Sequence, residues 1–399
     1  MKILSLLLIL FSCFPYISVL PIPTDTQPYA LICGMLIFFS YKKRFWNRQF
    51  HQLLIVCIIA FCLCLFSGLT FSALRSFLSY FSLFVLTYAS YCALVLNKGL
   101  SLSLYKIVVY VWFIVGTIQV FIYSDFLTFL LPRGSSEALL DSGRGVLGLA
   151  PEPTHYGLTC LLLMLLGYIN WKWDIRVKKM YILLLVQIFV YSISSMTIFI
   201  IALTLLSYYV YGLFHSRNFL LTFSIITILL IIAFVVVNHY LEQVQTYRVG
   251  KLVALLIDNP SLFLVLDESV NERFLHIYIP FKGFFDNYFL PHGFDSFELY
   301  FDQFLRNDDS GIISSYMYSK DSVEKIQSAW GAAFFELGIF ALLIVNVFRT
   351  IVSSLYKKQE RFVIMTALSL VFLNAFPFST PLTSLILGNM MSLYDKNNV

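Results

Sequence analysis

Apolar runs of roughly 15 to 25 residues, broken by short polar or basic stretches, recur along almost the whole chain, and each is long enough or nearly long enough to cross a bilayer as a helix. They fall at about 3–20, 28–41, 52–71, 75–96, 104–124, 155–170, 179–192, 196–214, 219–240, 329–348, 362–376 and 380–394, giving about twelve spans. Strands of a β-barrel would alternate apolar and polar residues, and these runs do not. The pattern predicts an all-α, polytopic integral membrane protein. Two polar intervals interrupt it, about 125–153 and 241–328. The chain therefore divides into 1–240 with nine spans and the first interval, 241–328 as one large loop, and 329–399 with the last three spans.

Composition agrees with that pattern. Of 399 residues, 59% are hydrophobic and only 12% charged, and the mean hydropathy is +0.81, far outside the range of soluble domains. The basic residues set the orientation, because Lys and Arg in short loops are held on the cytoplasmic side. Lys42, Lys43, Arg44 and Arg48 follow the second span, Lys98 the fourth, and Lys172, Arg176, Lys178 and Lys179 the sixth. Arg217 follows the eighth, and Arg349, Lys357, Lys358 and Arg361 the tenth. Every one is an even-numbered exit, so both polar intervals are expected outside the cytoplasm. The net charge of +5 mostly reflects these loops and points to no nucleic-acid partner. Residues 1–20 also admit a signal-peptide reading, since Lys2 precedes the apolar stretch, but no small-x-small cleavage site stands near Pro21.

All seven cysteines, Cys13, Cys33, Cys57, Cys62, Cys64, Cys92 and Cys160, lie in apolar segments, so no disulfide framework is expected. Cys62-Leu-Cys64 splays its thiols around a helix, as small packing residues do. The six histidines are scattered, and neither a metal site nor a cofactor is expected.

Ionisable groups in mid-membrane are costly and mark function. The spans hold almost none except Glu336, about 12 Å below the outer surface of the tenth. The chemistry-bearing residues gather toward the outer side instead. The first polar interval, LLPRGSSEALLDSGRGVLGLAPEPT over 130–154, carries Arg133, Glu137, Asp141, Arg144 and Glu152. Its VLGLA stretch reads as re-entrant or interfacial backbone, tolerated there only if buried in protein or lining a wet cavity. Pro153 restricts Glu152 to extended backbone, and Thr154 is the expected N-cap of a span beginning at His155. The plainer reading is a helix start with an acid that suits the dipole. In the second interval, Asn271 to Tyr300, Arg273 and His276 share a helical face and Pro291-His292-Gly293 makes a turn. An Arg and a His beside aromatic rings can bind a diphosphate and stack on sugars, or the segment is an amphipathic helix at the interface with snorkelling cations. Arg75 opens the fourth span and Arg248 follows the ninth, each a further phosphate ligand or a membrane anchor.

These segments resemble the Wzy-type O-antigen polymerases and their relatives, the O-antigen ligases. The likeness covers most of the chain: about twelve spans, a large outer loop before the last three, and the segments PEPTHYG at 151–157, SISSMTIFII near the eighth span, ERF followed by LPHGFDSF, and AFFELGIF at 333–340. Arg133 and Arg273 depart from the arginine-to-glycine spacing of some polymerases, leaving the role of each open. Ligase-like proteins carry a His shortly before the Glu-x-Gly of the tenth span, where this chain has Ser328-Ala-Trp. The resemblance implies a GT-C-like membrane glycosyltransferase in the bacterial inner membrane, acting without metal on undecaprenyl-diphosphate-linked oligosaccharide, with a Wzz-type chain-length regulator as partner. It further implies Glu152 as base or acceptor-orienting group, Arg273 as main diphosphate ligand and His276 beside it. Arg75, Arg133, Arg144, His155, Arg248, His292 and Glu336 are the expected binding residues. An O-antigen ligase and a lipid-linked oligosaccharide flippase are the competing expectations. A flippase is the harder to reconcile with spans so poor in charge.

Overall fold

The computed structural model describes residues 1–18, 26–41, 47–131, 145–214, 254–255, 257, 263–307, 313, 325–374 and 376–398. Among these, regular structure is entirely helical. Helices α1 (Lys2–Cys13), α2 (Tyr29–Ser40), α3 (Arg48–Phe66), α4 (Phe71–Leu96) and α5 (Leu102–Phe121) come first. Next are α6 (Pro153–Trp171), α7 (Ile175–Val186, continued by a π-helical turn Gln187–Ser192) and α8 (Ser195–Phe214). The 241–328 interval contributes α9 (Glu268–Asp286) and α10 (Phe297–Asn307). Last are α11 (Ala329–Leu337) and α12 (Ala341–Leu355), joined by a 3-10 turn Gly338–Phe340, then α13 (Lys358–Leu373) and α14 (Pro381–Asn398).

Five of these are long and apolar enough to cross a bilayer: α3, α4, α5, α8 over Ser195–Gly212, and the combined Ala329–Leu355. The protein is thus a helical membrane protein. Helices also lie at the other expected spans except 219–240, which falls outside the described residues. Two of them are shorter than expected. The first stops at Cys13 instead of running to about 20, because Pro15 bars its predecessor from helical backbone. At 12 residues each, α1 and α2 are about 18 Å long, short of a hydrocarbon core of about 30 Å.

Helix α4 is the centre of the bundle. It packs against α14, α2, α3 and α1, and 78% of its apolar window is buried, against 11% for α8. A membrane supplies the solvent that the bare apolar face of α8 needs. A single apolar core runs through the bundle, and a smaller aromatic core, Leu275, Ile279, Phe297, Phe301 and Phe335 among its members, lies under α9 and α10. Cys64 is buried and Cys62 exposed, the splaying that their spacing predicts.

Helix α9 lies against α11. Added Cβ atoms measure how tightly: one on Gly331 would stand 3.0 Å from the His276 carbonyl oxygen and 3.3 Å from the Pro280 Cβ, and one on Gly283 would stand 2.6 Å from the Phe335 ring. Residue 276 is thus level with 331 and residue 283 with 335, so α9 runs in the same direction as α11 and alongside it.

Candidate functional site

The segment 145–152 is irregular and buried. Val146, Leu147, Leu149 and Ala150 are enclosed. The Val146 N–H donates to the Tyr191 carbonyl at 2.9 Å. The Gln119 amide pairs with both backbone groups of Gly148, donating at 2.9 Å and accepting at 2.6 Å. Irregular backbone among spans needs its polar groups satisfied by protein, and here the contacts are supplied.

This platform delivers Glu152 to the mouth of α6. Glu152, not Thr154, is the N-cap: its backbone is extended (φ −146°, ψ 153°), Pro153 occupies the first turn, and the Glu152 carbonyl accepts the Tyr156 N–H at 3.0 Å. Proline at N1 fixes the start two residues earlier than a Thr154 cap would, because its missing N–H needs no partner. The Glu152 side chain is half exposed (51%), with an oxygen 3.8 Å from His155 Nδ1. The His155 ring sits edge-on to Tyr16, at 5.8 Å between centroids, and is tilted against Phe376 at 6.4 Å.

Freed from capping, Thr154 does something else. Its hydroxyl accepts from Arg273 Nη2 at 3.4 Å, across 119 residues of sequence. The two polar intervals therefore meet at the start of α6, where Arg273 reaches Thr154 next to the Glu152–His155 pair, whose imidazole packs against Tyr16 and Phe376.

His276 and His292 take other positions. His276 is buried beside Phe297 and Phe301, at 6.0 and 6.3 Å. Its Nδ1 accepts the Gln327 N–H at 3.4 Å, and Glu272 Oε1 lies 4.0 Å from its Nε2. His292 stacks flat on Phe335 at 4.2 Å, and its Nε2 lies 2.9 Å from the Gly283 carbonyl. Both rings serve the smaller aromatic core and not the group around Thr154.

Glu336 closes a second cluster, in the last turn of α11. It accepts from Tyr80 at 2.6 Å and from Ser76 at 3.0 Å, both on α4, while its carbonyl accepts the Gly293 N–H at 3.2 Å. Nearby, Thr70 donates to the Asp295 carboxylate, and Ser67 donates to the Phe294 carbonyl at 3.1 Å. The turn after α9 is thereby tied to both α4 and α11. Arg75 is exposed beside Ser76 on α4, and no described hydrogen bond or ion pair joins it to either cluster. Arg133, Arg144 and Arg248 lie outside the described residues.

At the end of α9, Asp286 accepts from Tyr300 at 2.7 Å and from Lys282 at 3.0 Å. The Tyr300 hydroxyl first, and then Lys282, hold its carboxyl below the usual range against the opposing effect of burial. A surface hollow of about 450 Å³ bounded by Tyr123 and 125–129 shares no residue with either cluster. Among the described residues, no three His, Cys, Asp or Glu side chains converge as a metal site would require.

Thr154, Ser76 and Tyr80 are the residues that sequence reasoning misses. Ser76 and Tyr80 carry a signal, a hydroxyl pair at i and i+4 in an apolar span, but hydroxyls are common enough in spans that it points to no partner. No protein-family model and no curated protein matches the chain.

Proposed function

We propose that this chain is a Wzy-type O-antigen polymerase: a glycosyltransferase that joins undecaprenyl-diphosphate-linked repeat units at the periplasmic face of the bacterial inner membrane. The twelve-span, GT-C-like architecture and a Wzz-type chain-length partner belong to the same reading. The contact that carries it is Arg273 on Thr154, which brings a permanent cation to the helix mouth two residues along from the half-exposed Glu152. Glycosyl transfer from a lipid diphosphate calls for that combination.

In the reaction, the acceptor hydroxyl oxygen bonds to the anomeric carbon of the growing glycan, and the bond from that carbon to the diphosphate oxygen breaks. The acceptor proton passes to the Glu152 carboxylate, and the diphosphate leaves with both electrons of the broken bond, still attached to its polyprenyl chain. Glu152 needs exposure to meet a sugar and a fixed backbone to meet it in one orientation, and the extended N-cap geometry supplies both. Arg273 stabilises the charge that develops on the leaving diphosphate, as a planar, always-ionised donor fork does best. His155, held between Tyr16 and Phe376, steadies the Glu152 side chain. His276 and His292 hold the outer loop together, and Glu336 ties that loop to α4.

The test is a lipopolysaccharide gel from a deletion strain with the gene absent, restored, or restored as Glu152→Gln at equal protein level. Core bearing a single repeat unit, converted to a ladder by the wild type and not by Glu152→Gln, is the expected result. Bare core with lipid-linked polymer accumulating would mean a ligase, and bare core with single units trapped on the cytoplasmic face a flippase. A normal ladder with Glu152→Gln would remove Glu152 from the chemistry.

A further inference from the structure

Helix α9 ends in an unusual way. Tyr288 N–H donates to the Phe285 carbonyl at 3.1 Å and Phe289 N–H to the Phe284 carbonyl at 2.9 Å, the paired bonds of a Schellman cap, whose left-handed position is normally glycine. Here that position is Tyr288 at φ +52°, followed by Phe289 at φ +67°. Left-handed backbone costs a residue with a Cβ about 1–2 kcal/mol, so aromatic side chains are held on this turn against local preference. They are also uncovered: Tyr288 is 83% exposed, Phe285 59% and Leu290 58%.

The turn is attached to the membrane-crossing helix α11–α12. The Ile339 N–H donates to the Phe289 carbonyl at 2.9 Å, the His292 N–H to Phe335 at 3.0 Å and the Gly293 N–H to Glu336 at 3.2 Å. Gly338 stands so close that a Cβ there would lie 2.5 Å from the Pro291 nitrogen. Depth follows from length. Ala329–Leu355 spans 27 residues, about 40 Å, and overhangs a 30 Å hydrocarbon core by about 5 Å at each end when centred. Gly338 is about 13 Å from the start of α11, hence about 8 Å inside the hydrocarbon. Ile339, Phe340 and Leu342, just past the attachment point on that helix, are exposed as well.

Non-helical backbone at that depth needs its polar groups met by protein, and the donors of this turn are all met. Every N–H from Tyr288 to Gly293 donates to a carbonyl, Pro291 having none to give, and the Asn287 amide donates to the carbonyls of Leu290 and Pro291 at 3.2 and 3.3 Å. Asp286, the one charged residue of 285–291, is paired with Lys282 and accepts from Tyr300 on α10, so its charge is met by protein groups. We infer that 285–291 is a re-entrant lipid anchor: the end of α9 dips into the bilayer leaflet on its own side, and Tyr288, Phe285 and Leu290 contact acyl chains.

Power-saturation electron paramagnetic resonance on the full chain in lipid nanodiscs tests this. A nitroxide is placed at Tyr288→Cys or, as the polar control, at the exposed Glu298→Cys on α10, in a Cys62→Ser background that removes the one exposed native thiol among seven. The expected result is a reversal of sign: at 288 the label collides more with oxygen, which partitions into lipid, than with a water-soluble nickel chelate, and at 298 the order inverts. Nickel exceeding oxygen at 288 would put the tip in water. Low accessibility to both would mean that protein covers it. Either outcome overturns the inference.

Discussion

The attachment of the turn to α11 has a single weak point at Gly338, and Gly338→Ala is the sharpest test of how tightly the outer loop is held. Gly338 sits at φ +58°, and a Cβ there would meet the Pro291 nitrogen at 2.5 Å, the Leu290 carbonyl carbon at 2.6 Å and the Phe289 oxygen at 2.6 Å. All three are backbone atoms, so no side chain can rotate away and the turn itself must retreat. Left-handed backbone with a Cβ costs about 1–2 kcal/mol. Retreat also breaks the Ile339–Phe289 bond and strains those from His292 and Gly293, each contributing about 1 kcal/mol. The docking equilibrium should therefore weaken by about 3–5 kcal/mol, or roughly 10²- to several-times-10³-fold. Gly293→Ala is the matched control, because it shares a positive φ (+76°) but meets nothing nearer than the Ser67 hydroxyl at 4.0 Å; it should cost about tenfold. Hydrogen exchange read by mass spectrometry over 288–293 measures local opening directly. If Gly338→Ala exchanges no faster than Gly293→Ala, the turn is not docked as described.

Thr154→Val removes the hydroxyl partner of Arg273 while keeping its volume. At equal protein level the polymer ladder should fall about tenfold, the low end for a bond to a charged group, and Thr154→Ser should restore it. Tyr80→Phe strips Glu336 of its 2.6 Å donor and should cost about 1–3 kcal/mol of stability, seen as earlier thermal aggregation in detergent; an unchanged transition would mean that Ser76 alone satisfies the carboxylate.

The parts of the chain that were legible beforehand are those governed by near neighbours. Apolar runs announced the helices, and the misjudged ends have local causes: Pro15 stops α1, and Pro153 itself begins α6, with Glu152 as its cap. Glu336 stood out because a carboxylate in a span is expensive, whereas Ser76 and Tyr80, which satisfy it, did not, because hydroxyls in a span cost little. The cap after α9 was hidden for the opposite reason, since the residues there are Tyr288 and Phe289, which local preference argues against. His276 shared a face with Arg273 on paper, yet 60° of rotation about the helix is enough to place one ring in an aromatic core and the other side chain on Thr154. Nothing local announces a contact between residues 154 and 273.

That contact depends on how α9 is hung. His276 is level with Gly331, and Arg273 lies three residues back along α9, about 4.5 Å nearer the surface, which puts it level with the start of α11. A guanidinium at that height faces the headgroup layer, where the proposed leaving diphosphate would stand, and Thr154 meets it there from α6. The opposite end of the same helix is fixed at Gly338, below the headgroups by the same measure. A helix pinned at both ends to a membrane-crossing neighbour has little freedom to slide or turn. The strained aromatic cap and the placement of Arg273 are then two consequences of one packing, the seating of α9 along α11.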